Sequence, residues 1–140
     1  MRTYLAGPIF GKSDAECNDW RAQFKALPGE WLDPMARDYR GREDDCVSDI
    51  VEGDMEDIDR CTLLIALAKT PSWGTAMEIH YAARRGLEVW AICDGRISPW
   101  LRYHATRIFR SVADAVVAHE LRFASWNQQG ATLDCNGVTK

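Results

Sequence analysis

The chain of 140 residues lacks any apolar run that approaches the roughly 18 residues needed for a membrane-spanning helix. Its N-terminus also lacks the pattern of a signal peptide, so we expect a cytoplasmic protein. Lysine and arginine do not cluster along one face, and a net charge of −4 gives no electrostatic footprint for nucleic acid. We therefore expect neither a membrane nor a nucleic acid among its partners.

Cysteine patterning argues against a disulfide framework and against a structural zinc site. The sequence has 5 cysteines, an odd number, and no Cys-x-x-Cys pair. This usage is typical of reduced thiols in a cytosolic protein. The ligand spacing of a structural zinc site is absent as well. The residues concerned are Cys17, Cys46, Cys61, Cys93 and Cys135.

What remains is a globular composition, with 46% hydrophobic residues and enough length for one domain with a substantial core. Strand-like runs alternate with helical patterns, and no repeat or low-complexity segment interrupts them. We predict strands at residues 2–6, 30–33, 63–68, 88–93 and 106–109, and helices at 13–27, 46–60, 75–85, 100–105 and 112–121. Residues 35–45 are polar and predict a mobile loop. The domain is placed at 1–126, with a frayed polar tail at 127–140.

This alternation predicts an α/β fold: a single doubly wound, flavodoxin- or Rossmann-like domain with a five-stranded parallel sheet flanked by helices. We expect the strand order 2-1-3-4-5. The order then reverses between the first and third strands, where ligands bind at the carboxyl ends of such sheets. This crevice would bring Gly7-Pro8 beside Pro71-Ser72, with the turn at Asp94 next to them.

Glu78 is the first candidate for chemistry, because it follows this crevice in the first turn of a helix. Thr75 and Glu78 also fit a capping box, in which the glutamate would only satisfy backbone N–H groups. Ser13 and Glu16 show the same pattern at another helix. Since Glu78 lies off the apolar stripe of its helix, the alternative is a carboxylate that faces the crevice as a nucleophile or base.

Asp54 falls in the middle of an apolar stripe on its predicted helix, formed by Val47, Ile50, Val51 and Ile58. A carboxylate on a core-facing stripe is unfavourable unless it is hydrogen-bonded or at the end of the core. A buried aspartate that caps a neighbouring loop satisfies this requirement. A ligand-facing acid whose pKa is changed by burial satisfies it equally.

Three further kinds of residue need an interpretation. Ser72 places a hydroxyl ahead of a helix N-terminus, where free N–H groups and the helix dipole favour an anion such as phosphate; an ordinary turn serine is the alternative. Tyr4, near the carboxyl end of the first strand, is either a core residue or part of a pocket wall. His80, His104 and His119 have no serine or cysteine partner at a telling spacing, so a Ser/His/Asp triad is not expected.

Together these residues resemble the nucleoside 2-deoxyribosyltransferase family over roughly residues 3–110. Tyr4-Leu5-Ala6-Gly7-Pro8-Ile9-Phe10 is similar to the opening strand and turn of that family, and Asp54 matches an aspartate ahead of its third strand. Gly74-Thr75-Ala76-Met77-Glu78-Ile79 resembles the motif whose glutamate attacks C1′ of the sugar. The resemblance implies Glu78, Asp54 and Tyr4 as catalytic residues. It implies a substrate site formed by Gly7, Pro8, Ile9, Phe10, Ser72, Gly74, Met77, Ser98 and Trp100.

Two positions depart from the transferases. Those enzymes usually carry an aspartate where this chain has Ser72. They also tend to carry an asparagine, reaching a neighbouring subunit's sugar, where this chain has Ser98 in Ser98-Pro99-Trp100. Both positions resemble the related (2′-deoxy)nucleoside 5′-monophosphate N-hydrolases, in which the first serine helps to bind the 5′-phosphate. The turn Gly7-Pro8-Ile9-Phe10 is nearer the transferase form.

The resemblance implies cleavage of the N-glycosidic bond of a (deoxy)nucleoside 5′-monophosphate through a covalent glycosyl-glutamate intermediate, as in retaining glycosidases. Glu78 would attack C1′, Asp54 would protonate or orient the leaving base, and water would release the sugar. No metal or organic cofactor is required, and a homodimer or higher homo-oligomer is expected. Base exchange by a transferase and nucleotide sensing without turnover are the alternatives.

Overall fold

A computed structural model of the chain describes the backbone of residues 1–134 and the side chains of residues 1–128. The strands are β1 (Arg2–Ala6), β2 (Glu30–Leu32), β3 (Leu63–Leu67), β4 (Glu88–Ile92) and β5 (Arg107–Phe109). The helices are α1 (Asp14–Lys25), α2 (Val47–Asp59), α3 (Trp73–Arg84), α4 (Pro99–His104) and α5 (Val112–Asp134). Each strand and helix that the sequence predicts is therefore present, in the predicted order.

The strands form one parallel sheet in the order β2-β1-β3-β4-β5, which confirms the predicted fold class and strand order. β1 and β3 are direct neighbours, and Ala6 lies opposite Ala66 at the carboxyl end of the pair. β1 also pairs with β2 on its other side. The chain therefore leaves β1 and β3 at the point where the strand order reverses, and this is where a ligand crevice is expected.

Two apolar layers hold the helices on the two faces of the sheet. On one face, α1 and α5 pack on a layer that includes Leu5 of β1 and Trp20 of α1. On the other face, α2, α3 and α4 pack on a layer that includes Tyr4, Ile58 and Ile79. Successive strand residues point to opposite faces. The aromatic ring of Tyr4 therefore lies on the same side of the sheet as α2 and α3.

The segment after β2, which the sequence predicts as a mobile loop, contains two 3₁₀ turns, Pro34–Arg37 and Glu43–Asp45. The side chain of Asp33 accepts a hydrogen bond from the backbone N–H of Met35 and so begins the first turn. Asp33 is buried and pairs with Arg21 of α1, Nε to Oδ1, at 3.2 Å. These contacts tie the segment to α1, and a polar composition alone does not predict them.

Helix α5 is longer than predicted, because it continues to Asp134, whereas the sequence placed its end at Leu121 and a polar tail from Asn127. A contact beyond the predicted end explains part of the extension. Arg122 forms an ion pair with Glu88 of β4 and so fastens the helix to the sheet. The helix therefore depends on a long-range interaction that local composition does not reveal.

The described cysteines are reduced, since Cys17, Cys46, Cys61 and Cys93 form no disulfide. Cys135 and the rest of the predicted tail at 135–140 lie outside the described residues. Within the described part of the chain, no helix combines the length and the apolar character needed to cross a membrane.

Candidate active site

A cleft opens at the carboxyl ends of β1 and β3, between the β1–α1 turn, the segment after β2, helix α2 and the start of α3. It brings together both acidic candidates and one of the predicted serines at the strand switch point. The lining residues are Gly7, Ile9, Phe10, Pro34, Met35, Arg37, Asp38, Tyr39, Arg40, Glu43, Ile50, Asp54, Ser72, Gly74, Thr75 and Glu78.

Glu78 lies in the second turn of α3 rather than the first, because the helix begins one turn earlier than its pattern suggested. Ser72 is the N-cap, and its side chain accepts the backbone N–H of Thr75. The capping box that the sequence left open for Thr75 and Glu78 therefore does not form. The glutamate instead accepts a hydrogen bond on Oε1 from the hydroxyl of Tyr4, at 2.7 Å.

The environment of Glu78 favours its protonated form. Burial raises the pKa of Glu78 to about 8, and the negative charge of Asp54 acts in the same direction. The Tyr4 hydroxyl and the charge of Arg21 oppose this rise. A cationic centre in the cleft would favour the ionised form of Glu78. A carboxylate in this position is suited to meet the positive charge that develops at a sugar carbon.

Tyr4 is a neutral hydrogen-bond donor in this setting. Its side chain is fully buried. Burial and the two neighbouring carboxylates, Glu78 and Asp54, raise the pKa of its hydroxyl far above the usual range. The residue is therefore a core residue, as the first interpretation from the sequence has it. It is not among the residues that line the cleft, but its hydroxyl contacts the candidate nucleophile.

Asp54 reaches the cleft from α2, but the stripe around it does not face the core as predicted. Val47 and Val51 are 60% and 52% exposed, whereas Ile58 is buried. Only the last turns of α2 pack on the apolar layer of the sheet. The first half of the helix stands beside the segment after β2, so its apolar side chains meet solvent.

Asp54 is held by an arginine that the sequence did not identify. Nη2 of Arg37 lies 3.2 Å from Oδ1 of Asp54 and 2.7 Å from Oδ2 of the buried Asp57. Burial raises the pKa of Asp54, and the charge of Arg37 is the largest opposing influence. Asp54 therefore bonds a neighbouring segment and lines the cleft, so both interpretations of this residue apply.

The remaining predicted site residues divide into two groups. Gly7, Ile9, Phe10 and Gly74 line the cleft together with Ser72. Pro8, Met77, Ser98 and Trp100 are not among its lining residues. Of these, Met77 and Trp100 are 66% and 75% exposed, and Ser98 is the N-cap of α4, where it accepts the N–H of Leu101.

Arg21 is a second functional candidate that the sequence interpretation missed. It is fully buried, donates from Nη2 to the carbonyl of Gly7 at 3.1 Å, and pairs with Asp33. It thereby joins the β1–α1 turn to the segment after β2, the two walls of the cleft. A signal was available, because Arg21 follows Cys17 and precedes Phe24 on one helical stripe.

The three histidines lie away from the cleft, in positions that agree with a role outside catalysis. His80 and His104 are neighbours on α3 and α4, with Nδ1 of His80 2.9 Å from Nε2 of His104. His119 is buried and contacts Trp31 and Trp90. No histidine in residues 1–128 is among the residues that line the cleft.

Comparison with known proteins identifies the family of the chain. A family model described as nucleoside 2-deoxyribosyltransferase matches residues 3–99. No curated protein sequence matches the chain significantly. The 2-deoxyribosyltransferase of Bacillus psychrosaccharolyticus has a similar structure, with a TM-score of 0.69 at 15% identity over 83% of this chain and 90% of that one.

Two further solved structures share the fold. A conserved protein from Enterococcus faecalis V583 gives a TM-score of 0.59 at 20% identity, over 86% of this chain and 98% of that one. The CMP N-glycosidase BcmB of Clostridium botulinum gives 0.54 at 18% identity, over 86% and 99% of the two chains.

Together with the parallel sheet, the family match defines an enzyme of the glycosyltransferase class. The family model covers well over half of the sequence. The chain belongs to the nucleoside 2-deoxyribosyltransferase family, which confirms the resemblance found in its motifs.

Proposed function

We propose that this enzyme hydrolyses the N-glycosidic bond of a (2′-deoxy)nucleoside 5′-monophosphate and releases the free base. The observation that carries the proposal is the position of Ser72, which caps α3 and lines the same cleft as Glu78. Free N–H groups and the dipole of a helix N-terminus favour an anion. A phosphate bound there would leave the sugar of the same molecule within reach of the glutamate.

The proposed reaction has two steps and involves a covalent intermediate. In the first, a carboxylate oxygen of Glu78 bonds to C1′ while the bond from C1′ to the base nitrogen breaks, and the base leaves with that electron pair and takes up a proton. In the second, water adds to C1′, loses a proton, and frees the Glu78 carboxylate and the sugar phosphate. Asp54, which lines the same cleft from α2, would protonate or orient the leaving base.

We further propose that the active unit is at least a homodimer. Helices α2, α3 and α4 cover one face of the sheet and expose large apolar side chains on their outer surfaces. These are Val47, Val51, Trp73, Met77, Trp100 and Tyr103. Exposed apolar surface of this extent commonly marks a protein interface. A partner seated there would bring its own Ser98 and Trp100 toward the cleft, which explains why these residues do not line the cleft of their own chain.

We also propose a cytoplasmic location. The described cysteines are free, and a reducing compartment keeps thiols in that state. Fractionation of source cells with an antibody to the chain tests the proposal, and recovery outside the cytoplasm would contradict it.

Base exchange is the second candidate, favoured by the turn that contains Gly7, Ile9 and Phe10, which lines the cleft and is nearer the transferase form. A panel of nucleosides and 5′-monophosphates, with free base and sugar product measured by chromatography, separates the possibilities. Base released from a monophosphate without an acceptor supports the hydrolase. Release that requires an added base supports the transferase. Tight binding without product would indicate a nucleotide sensor.

A further inference from the structure

We propose that Arg37 is a positioning residue for this cleft, and that its guanidinium holds the carboxylate of Asp54 ionised and in a fixed orientation toward the substrate. The inference rests on the proposed function, because it assigns a state to one of the two carboxylates that the reaction would use. It also narrows the role of Asp54, since an ionised group orients the leaving nucleobase by accepting a hydrogen bond rather than by giving up a proton. The proton that the departing base takes up then comes from water.

The guanidinium of Arg37 bridges two acidic side chains on one helix. Asp54 and Asp57 lie one turn apart on α2, where two carboxylates repel each other unless a cation lies between them. Nη2 of Arg37 contacts both, at 3.2 Å and 2.7 Å. Asp57 is only 3% exposed, so it anchors the guanidinium from the interior side. Arg37 in turn presents its charge to Asp54 at the edge of the cleft.

Gly53 provides an independent indication that this bridge is built into α2. Glycine is the least favourable residue other than proline in a helix interior. A Cβ atom at position 53 would lie 3.2 Å from both Nε and Nη2 of Arg37. That distance is shorter than ordinary van der Waals contact, so a larger residue would push the guanidinium away. The glycine therefore makes room for the arginine to pack against the helix.

The other charged and titratable groups around Asp54 do not supply this charge. Arg40 lines the same cleft, but it pairs with Asp14 and Asp38. Tyr4 faces it from β1 as a neutral donor, and Asp57 adds negative charge from α2 itself. Glu78 faces the same space from α3 and is coupled to Asp54. Burial raises the pKa of Asp54, and the charge of Arg37 is the strongest influence that lowers it. Arg37 thus opposes the effect of burial and favours the ionised form of Asp54.

The matched pair of variants is Arg37→Met and Arg60→Met. Arg60 also forms an ion pair with Asp57, but no contact joins it to Asp54. Removal of either arginine therefore deprives the same buried acid of one partner. The ionisation of Asp54 is followed by NMR titration of its ¹³C-labelled carboxyl, and the pH dependence of kcat/KM is measured on a 5′-monophosphate.

In Arg37→Met, we expect the ionisation of Asp54 and the limb of the pH profile that reports it to move to higher pH by roughly one unit or more, as for loss of a close opposite charge. In Arg60→Met neither should move, although the melting temperature should fall in both. An unchanged Asp54 titration in Arg37→Met, or an equal shift in Arg60→Met, overturns the proposal.

If Arg37→Met does not fold, Arg37→Lys provides the second test. A lysine keeps the charge but lacks the planar fork that contacts both acids. Its Asp54 titration should move in the same direction by a smaller amount, and no movement would overturn the proposal. Failure of the proposed function is a separate result: a wild-type enzyme without turnover refutes the reaction, while the titration of Asp54 still decides the role of Arg37.

Discussion

The hydroxyl of Tyr4 donates a hydrogen bond to Oε1 of Glu78 at 2.7 Å and so joins β1 to α3 across the strand switch point. The bond aims the carboxylate from the buried side of the cleft and favours its ionised form, since the hydroxyl lowers the pKa of Glu78. A fully buried phenol that donates to Glu78 and faces Asp54 links the sheet core directly to the proposed chemistry.

Tyr4→Phe should impair the enzyme mainly at low pH. Loss of the donor raises the pKa of Glu78 further, so the ascending limb of kcat/KM should move to higher pH. A hydrogen bond to a charged group contributes about 1.5–3 kcal/mol, so the loss at pH 6 should be roughly tenfold or more. Steady-state kinetics from pH 5 to 9 provide the measurement. A uniform loss at every pH would instead indicate a packing defect.

Glu78→Gln and Glu78→Ala should abolish turnover while the fold remains intact. Neither change removes a helix cap, because Ser72 caps α3. Product formation is measured by chromatography, and folding by circular dichroism and melting temperature. Near-normal activity in the Gln variant would rule out Glu78 as the nucleophile.

The same Glu78→Gln variant should be more stable than the wild type in alkaline solution. The pKa of Glu78 rises from 4.5 to about 8 on folding, so the folded chain binds the proton more tightly than the unfolded chain does. The contribution of this bound proton to the free energy of unfolding is complete below pH 4.5, falls as the pH rises toward 8, and is absent above that. The melting temperature of the variant should therefore exceed that of the wild type at pH 9 and approach it at pH 4. A constant difference across this range would contradict the raised pKa.

Asp54→Asn should lower turnover by roughly 10²–10⁴-fold, the usual range for loss of an acid–base or orienting group. Asparagine keeps the shape and removes the charge that pairs with Arg37. Activity is expressed per folded molecule, with the folded fraction taken from thermal unfolding. Unchanged activity with reduced stability would leave Asp54 with a purely structural role.

Ser72→Ala and Ser98→Ala should each weaken the use of monophosphates by roughly tenfold or more, because a hydroxyl bonded to a charged oxygen contributes about 1.5–3 kcal/mol. Use of nucleosides, if present, should hardly change.

Ser111→Ala is the matched control. Its hydroxyl accepts the N–H of Asp114 and so caps another helix. Loss of any such cap lowers the free energy of unfolding by about 1 kcal/mol. Equal losses of activity on nucleosides and on monophosphates would contradict phosphate binding.

A mixing experiment tests whether Ser98 acts on the neighbouring chain. Glu78→Gln lacks the nucleophile and Ser98→Ala lacks the hydroxyl, but a mixed dimer would contain one intact cleft. Mixing the two should restore wild-type monophosphate affinity in part of the population. A wild-type chain that is fully active as a monomer by analytical ultracentrifugation would contradict the shared site.

Much of this fold follows from local chemistry. Short apolar runs alternate with amphipathic helical patterns, and such alternation with right-handed crossovers permits few topologies. The parallel order was therefore predictable, as was the meeting of Gly7 and Ser72 at one cleft. Family motifs added the candidate nucleophile. These features were accessible because each depends on residues close together in sequence or on the strand order itself.

Other features were decided by tertiary contacts. The bridge from Arg37 to Asp54 joins residues 17 positions apart, and the bond from Arg21 to Gly7 spans 14. No local pattern encodes such pairs. The stripe around Asp54 predicted a buried face, yet α2 extends past the sheet and exposes most of it.

By itself, the sequence determined which elements form and in what order, because periodicity and strand connection act locally. Only the tertiary structure decided where α3 begins, how far α5 extends, and which groups surround Asp54 and Glu78. Caps, ion pairs and burial depend on which distant groups the packed chain brings within a few ångströms.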